Sequence, residues 1–272
     1  MNACGFAPSN NEKIEMMVTK CQEMGIDVLL LNETNTKWNY MNQDKITRRL
    51  KVLGREINIK TSDSGRWELT KKEWLPGGAL TAVRGRIASL VVDDATHRGK
   101  YGNWLAVKLV GKGKTVAIIN IYRIPATSPA DATHSSLIQC DLIDGKAKTA
   151  AQHRSDVFKE IEEHIKKNND MIDMLLAGDI NQSVASKTVQ KFFNSIGVMD
   201  VHQKCDDLDL NQLDNTESRG SNPIDAVAVS HGLMEHVESS MLNDCNDIKF
   251  TDHRSYIIDI NFEDYFEDHL SA

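Results

Sequence analysis

Four short polar segments of the sequence contain the side chains that could do chemistry, and each segment adjoins an apolar run. A charged group beside an apolar run costs free energy unless it is hydrogen-bonded, paired with an opposite charge or bound to a metal ion. Carboxylate and amide oxygens are hard ligands, which suit Mg²⁺ or Mn²⁺ rather than Zn²⁺. An acidic metal site beside a histidine is a common arrangement for phosphoester hydrolysis. The segments are Leu31–Thr34, Ala177–Asn181, Pro223–Ala226 and Thr251–Arg254.

Each segment also has a purely structural interpretation when it is taken alone. Glu33 could cap a helix just past a strand, and Asp225 could cap a loop. Gly178-Asp179 could form a turn, and Asp252-His253 could be a surface pair. The combination is more informative, because all four segments stand at predicted strand boundaries. We therefore interpret them as parts of one metal-dependent site.

Hydrophobic periodicity predicts two units in which a helix precedes a strand. In the first unit, a helical face over Ile14–Met24 precedes a short apolar run at Asp27–Glu33 that is typical of a buried strand. In the second unit, a helical face over Val157–Ile165 precedes a strand at Met171–Leu176, which runs into the segment ending at Asn181. Both units place a carboxylate at the end of a strand, where ligands collect in layered α/β folds.

The remaining sequence predicts further strands, one helix and two irregular regions. Basic sequence without clear periodicity extends to Pro76-Gly77-Gly78, and a polar loop is predicted for Ala126–Arg154. Consecutive strands between two helix–strand units predict two packed sheets covered by helices. We treat residues 1–272 as a single domain, in which Glu263–Ala272 is an acidic surface tail. The other predicted elements are strands at Ala79–Val92, Trp104–Val110, Thr115–Tyr122, Asp225–Val229 and Tyr256–Phe262, and a helix at Val189–Ile196.

The order of the polar motifs resembles the pattern of the exonuclease–endonuclease–phosphatase superfamily. The resemblance covers nearly the whole chain, and the ordered set is specific although Gly-Asp-x-Asn or Asp-His alone would be weak. It implies an α/β fold, a four-layer sandwich of two packed mixed β-sheets flanked by helices, and metal-dependent phosphodiesterase activity. The matching motifs are Asn2, Glu33, Asn120-Ile-Tyr122, Gly178-Asp179-Ile-Asn181, Ile224-Asp225 and Thr251-Asp252-His253.

The resemblance also implies a metal ion, Mg²⁺ or Mn²⁺, for which Glu33 is the main ligand, with Asn2 and Asp252 close by. In the superfamily the early asparagine ends a central β-strand, whereas here only Met1 precedes Asn2. That strand is therefore expected to be missing or truncated, as in a domain excised from a longer protein or a chain with a miscalled start.

The catalytic roles that the resemblance implies fall on five residues. Asp179 orients or deprotonates the attacking water, or protonates the leaving oxygen. Asn181, Tyr122 and His253 contact the scissile phosphate, although Tyr122 could instead be a packed aromatic. Asp225 holds His253 in the required tautomer, as carboxylates behind a catalytic histidine do. Hydrolysis by in-line attack would leave a 3′-hydroxyl and a 5′-phosphate.

Two further features resemble the retroelement branch of the superfamily. One is Pro76-Gly-Gly-Ala-Leu80 before a basic strand, and the other is Asn120–Pro125 before a long polar loop. They imply an endonuclease that nicks DNA, with a reverse transcriptase domain in the parent polypeptide as a further partner. Both features are weakly specific, because Gly-Gly is also an ordinary turn at the start of a strand.

The charge distribution bears on the substrate. The net charge is −7, yet Lys37–Lys114 carries 17 Lys/Arg against 7 Asp/Glu, and Asp200–Ala272 carries 17 acids against 4 Lys/Arg. A basic stretch can contact a phosphate backbone while an acidic stretch holds metal. Alternatively, the two stretches neutralise each other across the fold.

Two other functions remain open at this stage. One is a phosphatase of the same fold for inositol phosphates or lipids, or a deadenylase, because the shared metal site does not set the substrate. The other is an inactive binding module, against which the intact set of acidic residues and His253 argues. The basic segment favours a long polyanion.

The sequence also predicts where the chain resides. It contains no run of about 18 apolar residues, so we expect no membrane span. It lacks the charged-then-apolar start of a secretory signal. The five cysteines are scattered and unpaired in spacing, which predicts an intracellular, reducing location in the nucleus or cytoplasm.

Overall fold

A computed structural model of the chain describes residues 1–54, 56–66, 74–126, 144, 149–168, 172–202, 214–217, 222–243 and 251–267. None of the helices described in these ranges is both long and apolar enough to span a bilayer. The helices are α1 (Asn11–Glu23), α2 (Tyr40–Leu50), α3 (Ala150–Lys167), α4 (Lys187–Ile196), α5 (His231–Met234) and α6 (Phe262–Tyr265); the strands are β1 (Val28–Asn32), β2 (Ile57–Ser62), β3 (Ala79–Arg84), β4 (His97–Arg98), β5 (Trp104–Gly111), β6 (Lys114–Tyr122), β7 (Asp173–Asp179), β8 (Val198–Asp200), β9 (Asp225–Ser230), β10 (Val237–Leu242) and β11 (Tyr256–Ile260).

A six-stranded mixed sheet forms the centre of the structure, in the order β4-β5-β6-β7-β9-β8. Strands β6 and β7 are parallel, and β7 and β9 are antiparallel. Strand β9 is buried along its whole length, because both faces of the sheet are covered, which explains its nearly unbroken apolar sequence.

Helices α3 and α4 cover the outer face of this sheet. The apolar stripe of α4 predicted from the sequence is buried there, together with Val157, Phe158 and Ile161 of α3. The rings of Phe158 and Phe192 stack with centroids 3.9 Å apart. Each such side chain stabilises the fold by about 1.5–3 kcal/mol through the apolar surface it removes from water.

The other sheet layer is divided into two parts. One is a three-stranded sheet in the order β1-β3-β2, and the other is the two-stranded ribbon β10-β11. Helix α1 packs on the three-stranded sheet through Ile14, Met17 and Cys21, and Asn10 caps it by accepting a hydrogen bond from the Lys13 backbone. The predicted succession of helix, sheet, sheet and helix layers is therefore confirmed, but the first sheet layer is interrupted.

Several predicted elements have different bounds. The strand predicted for Ala79–Val92 ends at Arg84, because Gly85 adopts a positive φ of 68° and begins a 3-10 helix at Gly85–Leu90. Helix α2 and strand β2 lie in the basic region that showed no periodicity; α2 buries only Asn42, Ile46 and Leu50, so its apolar stripe is too sparse to detect.

The predicted acidic tail is also corrected. Of residues 263–272, those up to Glu267 are described, and they include the end of α6. Tyr265 and Phe266 are 3% and 1% exposed and pack in the core between the sheets. The burial of these two aromatic side chains holds the segment against the fold, while the neighbouring acids point to the surface. The predicted loop at Ala126–Arg154 lies largely outside the described residues, and α3 begins within it at Ala150.

Candidate active site at the ends of the central strands

Sheet pairing brings two of the predicted acids together. Asp179 is the last residue of β7, and Asp225 is the first residue of β9 and stands directly opposite it. Tyr122, the last residue of β6, is the partner of Asp179 on its other side. Three predicted site residues that are far apart in sequence therefore share one edge of the central sheet.

The second sheet layer contributes Asn2 and Glu33 to the same edge. Asn2 forms an isolated parallel bridge with Asn32, the last residue of β1, and Glu33 follows immediately. The Asn2 side-chain amide donates to Glu33 Oε2 at 2.7 Å and to Asp179 Oδ2 at 2.9 Å. One buried amide therefore connects the carboxylates of the two sheet layers.

Asp179 is held by further hydrogen bonds from the loop after β7. The Asn181 backbone N–H donates to Asp179 Oδ1 at 2.8 Å, and the Asn181 side-chain amide donates to Asp179 Oδ2 at 2.9 Å. Asn181 and Glu33 have positive φ angles of 48° and 50°. A left-handed backbone is uncommon for glutamate and more readily adopted by asparagine, so it is at Glu33 that the surrounding structure must compensate for strain.

His253 completes the cluster from the segment before β11. Its Nδ1 lies 2.8 Å from Asp225 Oδ2 and its Nε2 lies 3.9 Å from Asp179 Oδ2. Its backbone N–H donates to the Thr251 hydroxyl, which itself donates to the Asn2 carbonyl. Because Asp225 accepts the proton on Nδ1, the opposite ring nitrogen is directed toward Asp179.

Burial and neighbouring charge shift the protonation of this cluster. Burial raises the pKa of Asp179 most, and the Asp225 carboxylate raises it further, to about 8. Burial lowers the pKa of His253, but attraction to Asp225 and to the other nearby carboxylates outweighs this effect and raises the value to about 10. At neutral pH the geometry therefore favours a charged imidazolium beside a carboxyl group that retains a proton.

Three side chains at this edge lie close enough together to hold a divalent cation. Asp179, Asp225 and His253 offer ligand atoms within 4.8 Å of one another, but both Asp179 oxygens already accept hydrogen bonds. The predicted ligand Glu33 lies at the opposite side of the Asn2 amide, and Asn2 Oδ1 accepts a hydrogen bond from the Cys4 backbone. Asp225 Oδ1 is buried without a hydrogen-bond partner among the described residues. Such an uncompensated oxygen is expected beside a positive group.

The other two predicted site residues are Asp252 and Tyr122. Asp252 is half-buried and precedes His253, whose pKa its charge helps to raise. Tyr122 is 1% exposed and packs with Tyr101 and Ile124. Its contact with a phosphate stays a prediction. Asn120 of the same motif donates to the carbonyls of Leu31 and Leu80, so it joins the two sheet layers instead of entering the site.

Buried basic residues that support the site were not singled out from the sequence. Arg154 Nη2 donates to the Asn181 carbonyl at 3.1 Å, and Arg123 donates to the Arg154 and Ile180 carbonyls. Lys13 donates to the carbonyls of Ala3 and Gly5, beside Asn2. These cations fasten the two loops that carry the site asparagines. Only Arg123 lay near a recognised motif, and no local pattern indicated that it or the others would be buried.

A close backbone approach accounts for Gly178. Its φ is +147°, and a Cβ atom there would lie 2.0 Å from the Ile121 carbonyl oxygen and 2.9 Å from Asn32 Nδ2. Glycine is therefore required at the point where β7 passes β6 and the second sheet, directly before Asp179.

Comparison with known proteins shows the fold. The sequence matches no family model and no curated protein. A 3′ phosphatase from Neisseria bound to a product DNA hairpin is similar in structure, with TM-score 0.64, 12% identity, and coverage of 94% of this chain and 97% of that chain. An AP endonuclease from Leishmania major has TM-score 0.65 and 13% identity over 94% of this chain and 85% of that chain.

A third similar structure belongs to the family after which the fold is named. It is an endonuclease/exonuclease/phosphatase family protein from Leptotrichia buccalis, with TM-score 0.61 and 14% identity over 94% of this chain and 97% of that chain. The chain therefore has the endonuclease/exonuclease/phosphatase fold, as the order of its motifs predicted. At this level of identity the likeness concerns the fold, and the activity is argued from the side chains of the site.

Proposed function

We propose that the chain is a divalent-metal-dependent phosphodiesterase that acts as a DNA endonuclease and leaves 3′-hydroxyl and 5′-phosphate ends. The observation that carries this proposal is the set of close polar contacts that runs from Asp225 through His253 and Asp179 to Asn2 and the half-buried Glu33, by hydrogen bonds except for the 3.9 Å ion-pair contact between His253 and Asp179. It combines a positively charged group, a proton carrier and oxygen ligands within one edge of the fold.

In this proposal Glu33 holds Mg²⁺ or Mn²⁺, with Asn2 and Asp252 close by. The bound cation would neutralise charge that develops on the phosphate during hydrolysis. The Asn2 amide keeps the Glu33 carboxylate oriented and separates it from Asp179, which reduces repulsion between the two acids. Two hydrogen-bonded carboxyl groups on opposite sides of one amide can therefore have different roles.

His253 is the group that would bind a phosphate oxygen. Its raised pKa keeps the imidazole charged at neutral pH, and the hydrogen bond to Asp225 directs Nε2 away from that partner. A charged N–H donor in a buried site stabilises the anionic transition state more than it would in water.

Asp179 is the candidate for proton transfer. Its pKa, raised to about 8, lies close to neutral pH, where a general acid or base is most effective. It would orient or deprotonate the attacking water, or protonate the leaving oxygen. Asn181 fixes the Asp179 carboxyl through two hydrogen bonds, and we assign contact with the scissile phosphate to Asn181 and Tyr122.

DNA is the substrate that we favour. A structurally similar protein is described with a product DNA hairpin, and others are AP endonucleases. The basic segment Lys37–Lys114 supports a polyanionic substrate. Part of its charge is neutralised within the fold, since Arg86 pairs with Glu263 at 3.0 Å and Lys114 with Glu267 at 3.6 Å.

The narrower assignment is a retroelement-type nicking endonuclease. Its support is the sequence at Pro76–Leu80 and Asn120–Pro125, and it carries the further expectation of a reverse transcriptase domain in the parent polypeptide. Preferential cleavage of intact DNA at an insertion sequence of the element, rather than of DNA that contains an abasic site, would support this assignment.

A nicking assay tests the proposal. Supercoiled plasmid is incubated with the chain and titrated Mg²⁺ or Mn²⁺, and the open circular product is measured; we expect nicking that chelation abolishes. End-labelling of the product before and after phosphatase treatment tests for the 5′-phosphate. Asp94→Asn, which changes an exposed acid outside the site, is the matched control for Asp179→Asn. Hydrolysis of inositol phosphates without any plasmid nicking would contradict the proposal.

A further inference from the structure

Two cations and a tyrosine hydroxyl converge on one carboxylate outside the cluster described above. Asp144 Oδ1 pairs with the Arg66 guanidinium, and Asp144 Oδ2 pairs with the Lys100 ammonium. The Tyr101 hydroxyl donates a hydrogen bond to the same Oδ2 at 2.7 Å. The Asp144 side chain is 17% exposed, so donors from two other segments of the chain hold both oxygens of a largely buried carboxylate.

The tyrosine of this cluster is fixed by aromatic packing. The Tyr101 ring is 5% exposed and stacks on the His153 ring, with centroids 5.9 Å apart. It also packs with Tyr122 and Ile124. His153 is itself buried, and the Asn103 side-chain amide lies 2.9 Å from its Nε2. The hydroxyl is therefore presented by a packed part of the fold and not by a loose surface side chain.

The cluster lies at the same edge of the fold as the candidate active site. In the central sheet Tyr122, which packs on Tyr101, is the register partner of Asp179. In the other layer the last residues of β1 and β2 pair with the same residue of β3, and Arg66 follows β2. Neighbouring strands are about 4.8 Å apart, so two strand spacings place Tyr101 about 10 Å from Asp179. This distance corresponds to about three nucleotides, at a rise of about 3.4 Å per nucleotide along a DNA strand.

The donor set suits a phosphate as well as a carboxylate. A guanidinium matches either anion, because both present two oxygens on one central atom, and an ammonium binds phosphate as a point charge. An exposed ion pair says little about function, whereas this carboxylate is largely buried and held by several donors. In sequence Asp144 falls within the predicted polar loop Ala126–Arg154, while its partners flank β2 and β5.

We propose that Arg66, Lys100 and Tyr101 form a subsite for a backbone phosphate about three nucleotides from the scissile one, and that the Asp144 carboxylate competes with the phosphate for this subsite. The inference rests on the proposed function and identifies where the DNA strand is held beside the catalytic edge. A phosphate enters the subsite only when the Asp144 carboxylate leaves it. Asp144 therefore lowers the affinity for DNA as an internal competitor.

Asp144→Asn tests the competition, because it removes the negative charge and keeps the shape of the side chain. Affinity is measured by fluorescence anisotropy of a labelled DNA duplex in EDTA over a range of salt concentrations. The matched control is Glu263→Gln, which removes the same charge and releases Arg86 from an ion pair of 3.0 Å. That pair lies at the opposite edge of the fold, since Arg86 follows the end of β3, which is antiparallel to β1 and β2. Asp144→Ser serves as a second version, because it lacks the amide that could itself bond to the donors.

We expect Asp144→Asn and Asp144→Ser to bind the duplex at least about 5-fold more tightly than Glu263→Gln, and the slope of log affinity against log salt to steepen by about 1, because one more phosphate is contacted. In the Asp144→Asn background, Arg66→Gln and Tyr101→Phe should each remove most of this gain. Equal affinity in the Asp144 variants and Glu263→Gln would overturn the proposal. Weaker binding by the Asp144 variants would also overturn it, because the carboxylate would then support the fold and not compete with DNA.

Plasmid nicking by the same variants separates this inference from the proposed function. Nicking that persists while the Asp144 variants and Glu263→Gln bind DNA alike would overturn the subsite and leave the nuclease assignment intact. The expected affinity pattern without nicking by any variant would support the phosphate subsite and contradict the nuclease assignment.

Discussion

The charge of His253 is expected to depend on Asp225, and Asp225→Asn tests this dependence. The Asp225 Oδ2 and His253 Nδ1 atoms are 2.8 Å apart and both residues are buried. Unit charges about 4 Å apart attract by about 4 kcal/mol at an effective dielectric constant of about 20, which corresponds to about 3 pKa units. An attraction of this size, with the smaller contributions of Asp179 and Asp252, outweighs the lowering of the His253 pKa by burial and leaves that pKa raised to about 10.

In the Asp225→Asn variant, burial still lowers the pKa of His253 while its main attraction is gone. We therefore expect the His253 pKa to fall by about 3 units, so that the ring is largely neutral at pH 8. Because the folded-state pKa is raised, the pair stabilises the wild-type protein fully below pH 6.5, and this stabilisation is lost as pH rises toward 10. The stability difference between wild type and variant should shrink over the same range.

The assay is an NMR titration of the histidine ring signals, together with a pH profile of plasmid nicking. The alkaline limit of activity should move to lower pH in the variant. Asp200→Asn is the matched control, because Asp200 forms an equivalent buried contact of 2.9 Å with His202; it should leave the His253 titration unchanged. A His253 pKa that is the same in wild type and Asp225→Asn would refute the electrostatic reasoning.

Three further predictions concern activity, metal use and stability. Asp179→Asn and His253→Ala should each reduce plasmid nicking by more than about 100-fold without loss of fold; normal turnover in either would show that the site is wrongly assigned. Glu33→Gln should raise the Mg²⁺ concentration needed for half-maximal nicking, and an unchanged requirement would place the metal elsewhere. Gly178→Ala should lower the free energy of unfolding in urea by about 3 kcal/mol or more, because its Cβ would overlap the Ile121 carbonyl; a change below about 1 kcal/mol would contradict the close approach.

The sequence by itself determined the types of the elements that pack in the core. The stripe of α4 was detectable because its burial repeats with the helical period. Strands β7 and β9 were detectable as short apolar runs, because both faces of the central sheet are covered. Helix α2 was not, since it buries three residues out of 11. The break after Arg84 was missed because a single positive φ at Gly85 ends the strand.

The candidate site was likewise predictable from the sequence only in part. Its residue types and their order could be read from the sequence, because acids and amides beside apolar runs stand out locally. Only the tertiary structure decided that Asn2 donates to both Glu33 and Asp179, which is 177 residues away, and that Asp179 faces Asp225. Strand register sets these contacts, and register depends on the packing of whole sheets.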